Sequence, residues 1–532
     1  MGTSEALAFT LHDILFSYHS LIGGLFLSYL VYRIIHSIVN DNNYMQTKYR
    51  FNGHTWRSIQ CNKSVPYSSC CTVCGKLMLP LVGLFCECCA VSACKRCHRT
   101  LDKKLRCKQI SWPEDKPFYH QWVNVGVSRS DNSDSNEEGE VLQKFYCSWC
   151  QRIKICSENA SNDTEQCDFQ KYRQIIIPPT CVQVLKGKVT HIKPLTDNDW
   201  EPLIIFANRK SGSNRTDEIL SLFRGLLNPI QVIDMSVCPP ESASRWLPAR
   251  CRVLVGGGDG SAAWLLGALA AVPHVRAAVG ILPMGTGNDL SRSLGWGAGC
   301  SHLDAHEIIH SVLLAEVQPL DRWQVTIKPH RGRLGRLGRL RGERRLLAHC
   351  YASVGVDAQV ALDFHRARAQ FLCRYASRWL NYAAYAVLGA GRALDAGGCG
   401  ALERRVRVAA DGRALPLPPV QALVLLNIRC WGAGVSLWNM GSEDVPEQSM
   451  SDGKFEVVGI SSSIHIARLQ CGLAEPFRFT QSSRVEIELN GTCAMQVDGE
   501  PWMQGPATIT MEHAGQSLVL RAPSLDQNNL LF

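Results

Sequence analysis

Two glycine-rich segments carry the residues best suited to chemistry. The first reads GGGDG over Gly256–Gly260, and the second reads GTGND over Gly285–Asp289. Each follows an apolar run typical of a buried strand, and the first also precedes a run typical of a helix. Glycines let backbone N–H groups approach phosphate oxygens, and a helix N-terminus adds partial positive charge. Together the two segments predict phosphate binding.

Neither segment belongs to the commonest nucleotide motifs. The chain contains no GxxxxGK[ST] sequence, and the first segment lacks GxGxxG spacing, which disfavours a P-loop NTPase or a standard dehydrogenase. Asp259 is a carboxylate held among glycines. It could hold Mg²⁺ or accept a proton from an acceptor hydroxyl. An ordinary Gly/Asp turn is the alternative reading of one such loop, and the presence of a second loop makes that alternative less favoured.

The surrounding elements predict where these loops lie. Between residues 200 and 320, strand runs alternate with helical stretches, which predicts an α/β layered domain with a largely parallel sheet. Both loops then fall at the carboxyl ends of strands, where such sheets bind ligands. The predicted strand runs are Leu203–Phe206, Val232–Val237, Val253–Val255 and Val279–Leu282.

Beyond residue 400 the apolar pattern changes to a period of two. Arg484–Leu489 and Ala507–Met511 alternate in this way, and the Asp411-Gly412 and Asp452-Gly453 pairs are turn signals. The pattern predicts a second, mostly antiparallel β domain. A cleft between the two lobes would hold the nucleotide on one side.

The residues resemble the diacylglycerol kinase family over roughly positions 200 to 522. That family has a GGDG turn and an LPxGTGNDLSRxLGWG stretch, which here runs from Leu282 to Gly297. NAD kinases and sphingosine kinases share the GGDG turn, but the longer stretch and the QVDGEPW segment favour the diacylglycerol branch. Further matching segments are Asn208–Gly212, Leu320–Trp323, Ser353–Ala358, Ala361–His365, Asn427-Ile428, Trp431-Gly432 and Gln496–Pro501.

The resemblance implies ATP-dependent phosphorylation of the sn-3 hydroxyl of 1,2-diacylglycerol, with Mg²⁺ as a further cofactor. Asp259 is the favoured base and Asp498 its rival; either could instead bind metal, and Asp498 could simply be a hairpin corner. Glu500 is a weaker candidate for nucleotide or metal. The implied nucleotide-binding residues are Asn208, Ser211, Gly212, Gly256, Gly257, Gly258, Gly260, Gly285, Thr286, Asn288, Asp289 and Glu500.

Cysteines form the second strong signal. Of 24 cysteines, 14 lie between Cys61 and Cys167, and such clustering in a cytosolic chain predicts zinc sites rather than disulfides. The first cluster resembles a C1 zinc domain, although Cys94 stands where that family normally has histidine. Cys61, Cys70 and Cys88 are left over, and Cys70 or Cys88 could compete as ligands. The implied sites are His54, Cys86, Cys89 and Cys107, and Cys71, Cys74, Cys94 and Cys97.

The second cluster resembles half of a C1 domain. The first CxxC is missing, an acidic segment (Ser128–Glu140) takes its place, and Ile155 stands at a histidine position, with Cys156 unassigned. One complete site remains by the four-ligand rule, so about three Zn²⁺ per chain are expected. The ligands of this site are His120, Cys147, Cys150 and Cys167.

The N-terminus carries an apolar stretch from Leu15 to Tyr32. As a helix it would be about 27 Å long, just enough to cross a membrane, although an inserted hairpin, a surface helix or a core helix are alternatives. Glu5 and Asp13 argue against a signal peptide, and basic residues after the stretch place the remainder on the cytosolic side. We therefore expect a membrane protein with a cytosolic catalytic domain.

Seven arginines lie between Arg331 and Arg345, within a chain of net charge +9. A solvated flexible insertion is the plainer interpretation, and contact with anionic lipid headgroups is the functional one. Nucleic acid is disfavoured as a partner because no aromatic residues accompany this charge. The expected partners are thus diacylglycerol and membrane lipids.

The full layout resembles the diacylglycerol kinase type with tandem C1 domains behind an N-terminal hydrophobic segment. That type implies a preference for arachidonoyl substrates, and Tyr382–Leu388 is a candidate for acyl contact, although core packing is its plainer role. The alternatives are an inactive C1-containing scaffold, or a kinase acting on another lipid such as ceramide or monoacylglycerol. The expected segments are 10–40 (membrane), 54–107 and 120–167 (C1), 199–345 (catalytic α/β), 346–522 (accessory β) and 523–532 (tail).

Overall fold

The fold is taken from a computed structural model, which describes most of the chain outside the N-terminal segment. The described residues divide into two compact units, one within 1–109 and 119–166 and the other within 110–118 and 167–532. They are 28–29, 53–58, 70–78, 83–129, 141–156, 165–195, 199–209, 215–285, 287–300, 303–330, 342–370, 401–441 and 444–523.

Among its described residues, the first unit contains two small antiparallel sheets and a helix of seven residues. Its core is thin, with Leu101 and Ala93 buried beside several cysteines, as expected of a domain that relies on metal for stability. Its elements are β1 (Trp56–Ser58), β2 (Gly83–Cys86), β3 (Ser92–Cys94), α1 (His98–Lys104), β4 (Trp122–Arg129), β5 (Val141–Cys147) and β6 (Ile153–Cys156). The sheet orders are β1-β2-β3 and β4-β5-β6.

The second unit begins with a hairpin and a parallel sheet flanked by helices. The sheet is parallel, as the sequence predicts, and its strands pair in the order Val232–Asp234, Leu203–Ala207, Arg250–Gly257 and Arg276–Pro283. Its first elements are β7 (Val182–Leu185), β8 (Lys188–Ile192), β9 (Leu203–Ala207), α2 (Thr216–Leu226), β10 (Val232–Asp234), α3 (Pro240–Ala243), β11 (Arg250–Gly257), α4 (Asp259–Ala270), β12 (Arg276–Pro283), α5 (Asp289–Ser293) and α6 (Ala305–Leu314).

One predicted strand is shorter than expected. The run from Val232 to Val237 forms a strand only to Asp234. The Asp234 carboxylate accepts hydrogen bonds from the Ser236 backbone N–H (2.9 Å) and hydroxyl (2.6 Å), which turns the chain away from the sheet.

The rest of the unit is mostly antiparallel, as predicted. Its elements are β13 (Glu316–Pro329), β14 (Arg344–Ala348), β15 (Tyr351–Gly355), α7 (Val356–Gln370), β16 (Val406–Ala410), β17 (Arg413–Leu415), β18 (Ala422–Leu426), β19 (Phe455–Ile460), α8 (Ser463–Gln470), β20 (Phe477–Ser482), β21 (Arg484–Leu489), β22 (Cys493–Val497), β23 (Glu500–Gln504) and β24 (Ala507–Arg521). Short 3-10 helices lie at Gln170–Tyr172, Pro179–Cys181, Pro229–Gln231 and Leu402–Arg404.

The last strand joins the two lobes. β24 pairs in parallel with β12 through Val279 and Val519, and antiparallel with β13 and β21, so one ten-stranded sheet runs through both regions. A separate six-stranded sheet has the order β20-β19-β18-β15-β22-β23. The expected domain boundary between residues 345 and 346 falls inside β14. Arg344 and Arg345, the end of the predicted arginine insertion, are therefore strand residues paired with β13.

A buried tryptophan links these two sheets. Trp323 of β13 packs edge-on against Phe455, with ring centroids 4.6 Å apart, and donates its indole N–H to Asn427 Oδ1 (2.7 Å). The Asn427 amide in turn donates to the backbone carbonyls of Asp321 (2.8 Å) and His349 (2.6 Å). This network fixes the segment around His349, which reappears at the candidate site.

Several predicted segments fall outside the described residues. They include most of Leu15–Tyr32, all of Tyr382–Leu388, residues 331–341 and residues 130–140. Within the part of the chain that is described, no helix combines the length and apolar character needed to cross a membrane.

Candidate active site and zinc centres

The two glycine loops touch each other backbone to backbone. They end the adjacent parallel strands β11 and β12. A Cβ placed on Gly258 would lie 3.0 Å from the Gly285 Cα, and one on Gly285 would lie 2.6 Å from the Gly258 Cα. Such short separations leave no room for a side chain on either residue. The sequence therefore needs glycine here to bring two loops together at the carboxyl edge of the sheet.

Asp259 ties the first loop to the second. As the first residue of α4 it accepts hydrogen bonds from the backbone N–H groups of Asp289 (2.9 Å) and Leu290 (3.0 Å), which begin α5. Burial raises the pKa of the Asp259 carboxyl, and the nearby Asp498 charge adds to this rise. The two amides and Arg292 act in the opposite direction. Asp259 stays half-buried, so solvent still reaches it.

Asn288 shapes the second loop from within. It adopts left-handed backbone geometry (φ 55°), which asparagine tolerates better than most residues. Its buried side-chain amide donates to the carbonyls of Gly285 (2.9 Å) and Ala298 (2.8 Å). The side chain therefore holds the loop closed.

Asn208 connects β9 to the first loop. Its backbone N–H donates to the Gly256 carbonyl (3.1 Å), and its side chain donates to the Ser261 hydroxyl (2.9 Å). Three other predicted nucleotide-binding residues, Ser211, Gly212 and Thr286, lie outside the described residues.

Asp498 is buried at the corner between β22 and β23. Its carboxylate accepts hydrogen bonds from the backbone N–H groups of His349 (2.8 Å), Cys350 (2.7 Å) and Tyr351 (3.1 Å). Its own backbone is left-handed (φ 48°). Asp498 is thus a hairpin corner and also an anion that holds the start of β15.

Four carboxylates from both lobes converge around these loops. Burial raises the pKa of the Cys350 thiol, and the charges of Asp498, Asp259 and Asp289 add to this rise. Glu500 is exposed, and a Cβ on Gly260 would lie only 3.2 Å from its Oε1.

Some residues at this site have no role assigned from the sequence. Arg292 donates to the Gly287 carbonyl (3.2 Å), and the Cys430 backbone N–H donates to the Ser293 hydroxyl (3.1 Å). The Trp431-Gly432 pair is among the matching segments, but no local sequence signal identifies what the backbone after this pair contacts. Only the small residues after it hint at a tight loop.

The cysteine clusters assemble as three four-residue groups. Within each group the ligand atoms all lie within 4.8 Å of one another, and no further residue of the described chain joins them. The groups are His54, Cys86, Cys89 and Cys107; Cys71, Cys74, Cys94 and Cys97; and His120, Cys147, Cys150 and Cys167. Four thiolate or imidazole ligands at this spacing are the donor set of a structural zinc site. Cys88 lies close to Cys86 and Cys107 but outside the group.

Comparison with known proteins agrees with this architecture. Residues 202–325 match the family profile described as "Diacylglycerol kinase catalytic domain", and residues 348–501 match "Diacylglycerol kinase accessory domain". The layered α/β domain with its paired glycine loops, followed by an antiparallel β domain, corresponds to these two matched domains of the diacylglycerol kinase fold. The chain belongs to the diacylglycerol kinase family.

Individual relatives have the same family name. "Probable diacylglycerol kinase 3" of Caenorhabditis elegans is 29% identical over 518 residues, covering 88% of this chain and 64% of that protein. "Diacylglycerol kinase theta" of Homo sapiens is 35% identical over 323 residues, covering 59% and 34%. A crystal structure of a diacylglycerol kinase from Bacillus anthracis is 15% identical with a TM-score of 0.36, covering 61% and 98%. The chain spans less than two thirds of the length of these two curated relatives.

Proposed function

We propose that the protein transfers the γ-phosphate of ATP to the sn-3 hydroxyl of 1,2-diacylglycerol, giving phosphatidic acid and ADP. One observation carries this proposal: Asp259 stands in the first turn of α4 and binds the first two amides of α5. One half-buried carboxylate therefore lies where both glycine loops meet. Both matched family profiles support the same reaction class.

The loops themselves would hold the triphosphate. Gly256–Gly260 leads into the N-terminus of α4, a helix of 12 residues, whose free N–H groups favour phosphate oxygens. The backbone contact between the loops keeps bulky side chains out of this region. Preorganised amides of this kind stabilise charge that develops during phosphoryl transfer.

Asp259 and Glu500 are the carboxylates best placed to hold Mg²⁺. Asp259 is half-buried and Glu500 is exposed, whereas Asp289 and Asp498 are buried, and Asp498 already accepts three backbone hydrogen bonds. When bound, the ion would offset the negative charge of the triphosphate.

The difference in burial and hydrogen bonding also favours Asp259 over Asp498 as the base. Each Asp259 oxygen accepts a single backbone hydrogen bond, so each keeps a lone pair free. Asp498 Oδ1 accepts two, Oδ2 accepts one, and His349 Nδ1 lies 3.6 Å away. A proton from the acceptor hydroxyl would therefore reach Asp259 more readily, and the raised pKa of its carboxyl suits that role.

The test is ATP-dependent phosphorylation in mixed micelles that carry diacylglycerols of defined acyl chains. Asp259→Asn should lower kcat by about 10²- to 10⁴-fold, the usual contribution of a general base. Asp452→Asn, at an exposed turn of the accessory region, is the matched control and should keep full activity. Retained activity in Asp259→Asn with loss in Asp498→Asn would assign the base to Asp498. No turnover of any diacylglycerol by the unaltered chain would overturn the function.

Finer features of the proposal rest on the sequence. The tandem C1 arrangement and the N-terminal apolar segment support the epsilon type of diacylglycerol kinase, a preference for arachidonoyl species, and attachment to a membrane by residues 10–40. The panel of acyl chains tests the preference directly. Equal turnover of saturated and arachidonoyl species would contradict it.

The C1 regions would serve as structural or docking modules. We propose that each four-residue group binds one Zn²⁺ with a stabilising role, because eleven of the twelve ligands are buried or half-buried and each set is complete. Cys74 is the one exposed ligand.

A further inference from the structure

A short helix of the accessory region has an apolar outer face. Ile464, Ala467 and Cys471 lie at i, i+3 and i+7 along α8 and its C-terminal end, so they share one side, and all three are exposed. The opposite side, with His465 and Leu469, is buried. Because a surface helix normally turns polar side chains to water, an apolar outer face indicates an interaction surface.

The turn after α8 extends this face. Leu473 lies beside the helix, because its backbone N–H donates to the carbonyl of Arg468 (2.8 Å). The Phe477 ring stands edge-on to the imidazole of His465, with ring centroids 6.3 Å apart. Leu473 is 69% exposed, Ile464 56% and Phe477 40%. The α8 face thus consists of Ile464, Ala467, Cys471, Leu473 and Phe477.

Hydrogen bonds of one histidine hold the α8 face in shape. The His465 backbone N–H donates to the Ser462 hydroxyl (3.0 Å), which begins the helix. The ring accepts from the Ser461 backbone N–H at Nδ1 (3.0 Å) and donates from Nε2 to the Glu475 carbonyl (2.9 Å). One side chain therefore joins both ends of the segment that carries the face, so little ordering is needed when a partner binds.

The α8 face borders the candidate active site. Gln470, the last residue of α8, donates from its side-chain amide to the Gly432 carbonyl (3.3 Å). The loop that contains Gly432 lies against α5, since a Cβ on Gly434 would be 2.9 Å from Arg292 Nη1. α5 begins at Asp289, within the second glycine loop. The face therefore lies on the side of the accessory region that meets the glycine loops.

Basic side chains accompany the apolar ones. Arg468 lies on α8 and Arg429 precedes the loop that α8 contacts, and both are exposed. Within residues 461–482 the one acidic residue is Glu475, whose carboxylate lies 3.8 Å from the Arg478 guanidinium. Apolar side chains flanked by arginines fit the surface of an anionic bilayer, where the apolar groups enter the acyl boundary and the basic groups meet the headgroups.

We propose that the α8 face is a bilayer-docking surface, through which the accessory region contacts anionic lipid so that diacylglycerol enters the site directly from the membrane. Ile464 and Leu473 would reach the acyl boundary, and Arg468 would lie among the headgroups. The choice of a bilayer rests on the lipid kinase function proposed above, because that substrate resides in a membrane. A protein partner for the same face is an outcome of the test.

Photolabelling measures the contact without turnover. The full chain is mixed with vesicles of phosphatidylcholine and phosphatidylserine that contain a phosphatidylcholine with a photoreactive acyl chain, and mass spectrometry locates the labelled peptides. The peptide that spans 464–477 should be labelled. Leu185, which is 65% exposed on the β7–β8 hairpin, is the comparison and should stay unlabelled.

Two labelling results would overturn the proposal. Absence of label from 464–477, whether or not the chain sediments with the vesicles, would favour a protein partner for the α8 face. Equal labelling at Leu185 would show that the contact is unspecific. Replacing phosphatidylserine by phosphatidylcholine should weaken the labelling of 464–477, and unchanged labelling would contradict the role of the arginines.

Variants of exposed residues test the link to the reaction. Ile464→Gln combined with Leu473→Gln removes apolar surface at positions where folding does not depend on it. In mixed micelles the double variant should raise the KM for long-chain diacylglycerol about tenfold or more, because two side chains no longer gain by leaving water. Its kcat, its KM for ATP and its turnover of a water-soluble, short-chain diacylglycerol should stay unchanged. Leu185→Gln is the matched control and should change none of these values.

The kinetic outcomes separate docking from other roles. A double variant that raises the KM for ATP equally, or that loses turnover of the short-chain substrate, would assign the α8 face a structural role and overturn its docking role. If the unaltered chain phosphorylates no diacylglycerol, long or short, the kinase function fails while photolabelling still decides the bilayer contact.

Discussion

Replacing Asp289 by asparagine should stabilise the protein while it impairs catalysis. Burial raises the pKa of the Asp289 carboxyl from 3.8 to about 7, and the charge of Asp259 contributes in the same direction. The Ala433 and Gly434 amides and Arg292 offset only part of this rise. The ionised carboxylate is thus held in the folded protein at a net cost in free energy.

The sign follows from proton binding. Between pH 3.8 and about 7 the folded chain holds a proton on Asp289 that the unfolded chain has released. The contribution of this group to stability therefore falls as the pH rises through that window, and the cost is fully present above pH 7. The full interval corresponds to about 4 kcal/mol. Part of this cost is the repulsion between the Asp289 and Asp259 carboxylates. We therefore expect Asp289→Asn to raise the free energy of unfolding by about 2 to 4 kcal/mol at pH 8.

Urea unfolding at pH 5 and pH 8 measures the effect. The stability difference between Asp289→Asn and the unaltered chain should be largest at pH 8 and clearly smaller at pH 5. Both proteins carry the same zinc ligands, so any acid-driven loss of metal cancels in this difference. Glu307→Gln, at an exposed carboxylate in the first turn of α6, is the control and should show neither effect. A less stable asparagine variant at pH 8, or a difference independent of pH, would refute the reasoning.

Three other outcomes are expected. Asp498→Ala should lower the free energy of unfolding, measured in urea, by about 3 kcal/mol or more, because three backbone N–H groups lose their acceptor. A decrease of less than about 1 kcal/mol would contradict this. Gly258→Ala should abolish kinase activity, because the new methyl group would push the two glycine loops apart. The control is Gly267→Ala, whose Cβ would meet open space; it should keep activity and add up to about 1 kcal/mol of stability. An active Gly258→Ala variant would argue against the contact between the loops. Metal analysis should return about three Zn²⁺ per chain, and the His120→Ala variant should contain one Zn²⁺ fewer. A content of four or more Zn²⁺ per chain, or of fewer than two, would count against the three groups.

Local patterns were enough to predict much of the fold. β21 begins and ends at the predicted residues Arg484 and Leu489, because strict alternation specifies a strand with one buried face. The strand, turn and helix around Gly258 also follow from neighbouring residues. Val232–Val237 was predicted too long because an aspartate side chain ended the strand, a contact that apolar periodicity does not register.

The three zinc groups could be predicted from the spacing of the cysteines together with the C1 resemblance. CxxC pairs place two sulfur atoms on one turn, and the order of the remaining ligands followed from the C1 resemblance. All twelve proposed ligands fall into the three expected groups. The spacing alone left Cys70 and Cys88 as competing ligands, so the assignment of ligands to sites depended on the resemblance to C1 domains.

By itself the sequence determined the glycine loops and the element types, since each depends on residues near one another in the chain, and the resemblance to C1 domains supplied the order of the zinc ligands. Only the tertiary structure decided which groups the acidic residues meet. Asp498 binds the amide of Cys350, 148 positions away, and Asp259 binds the amide of Leu290, 31 positions away. Such contacts depend on how the sheets pair, above all on β24 returning beside β12. Sheet pairing is a property of the whole folded chain, so no local pattern encodes which carboxylate meets which amide.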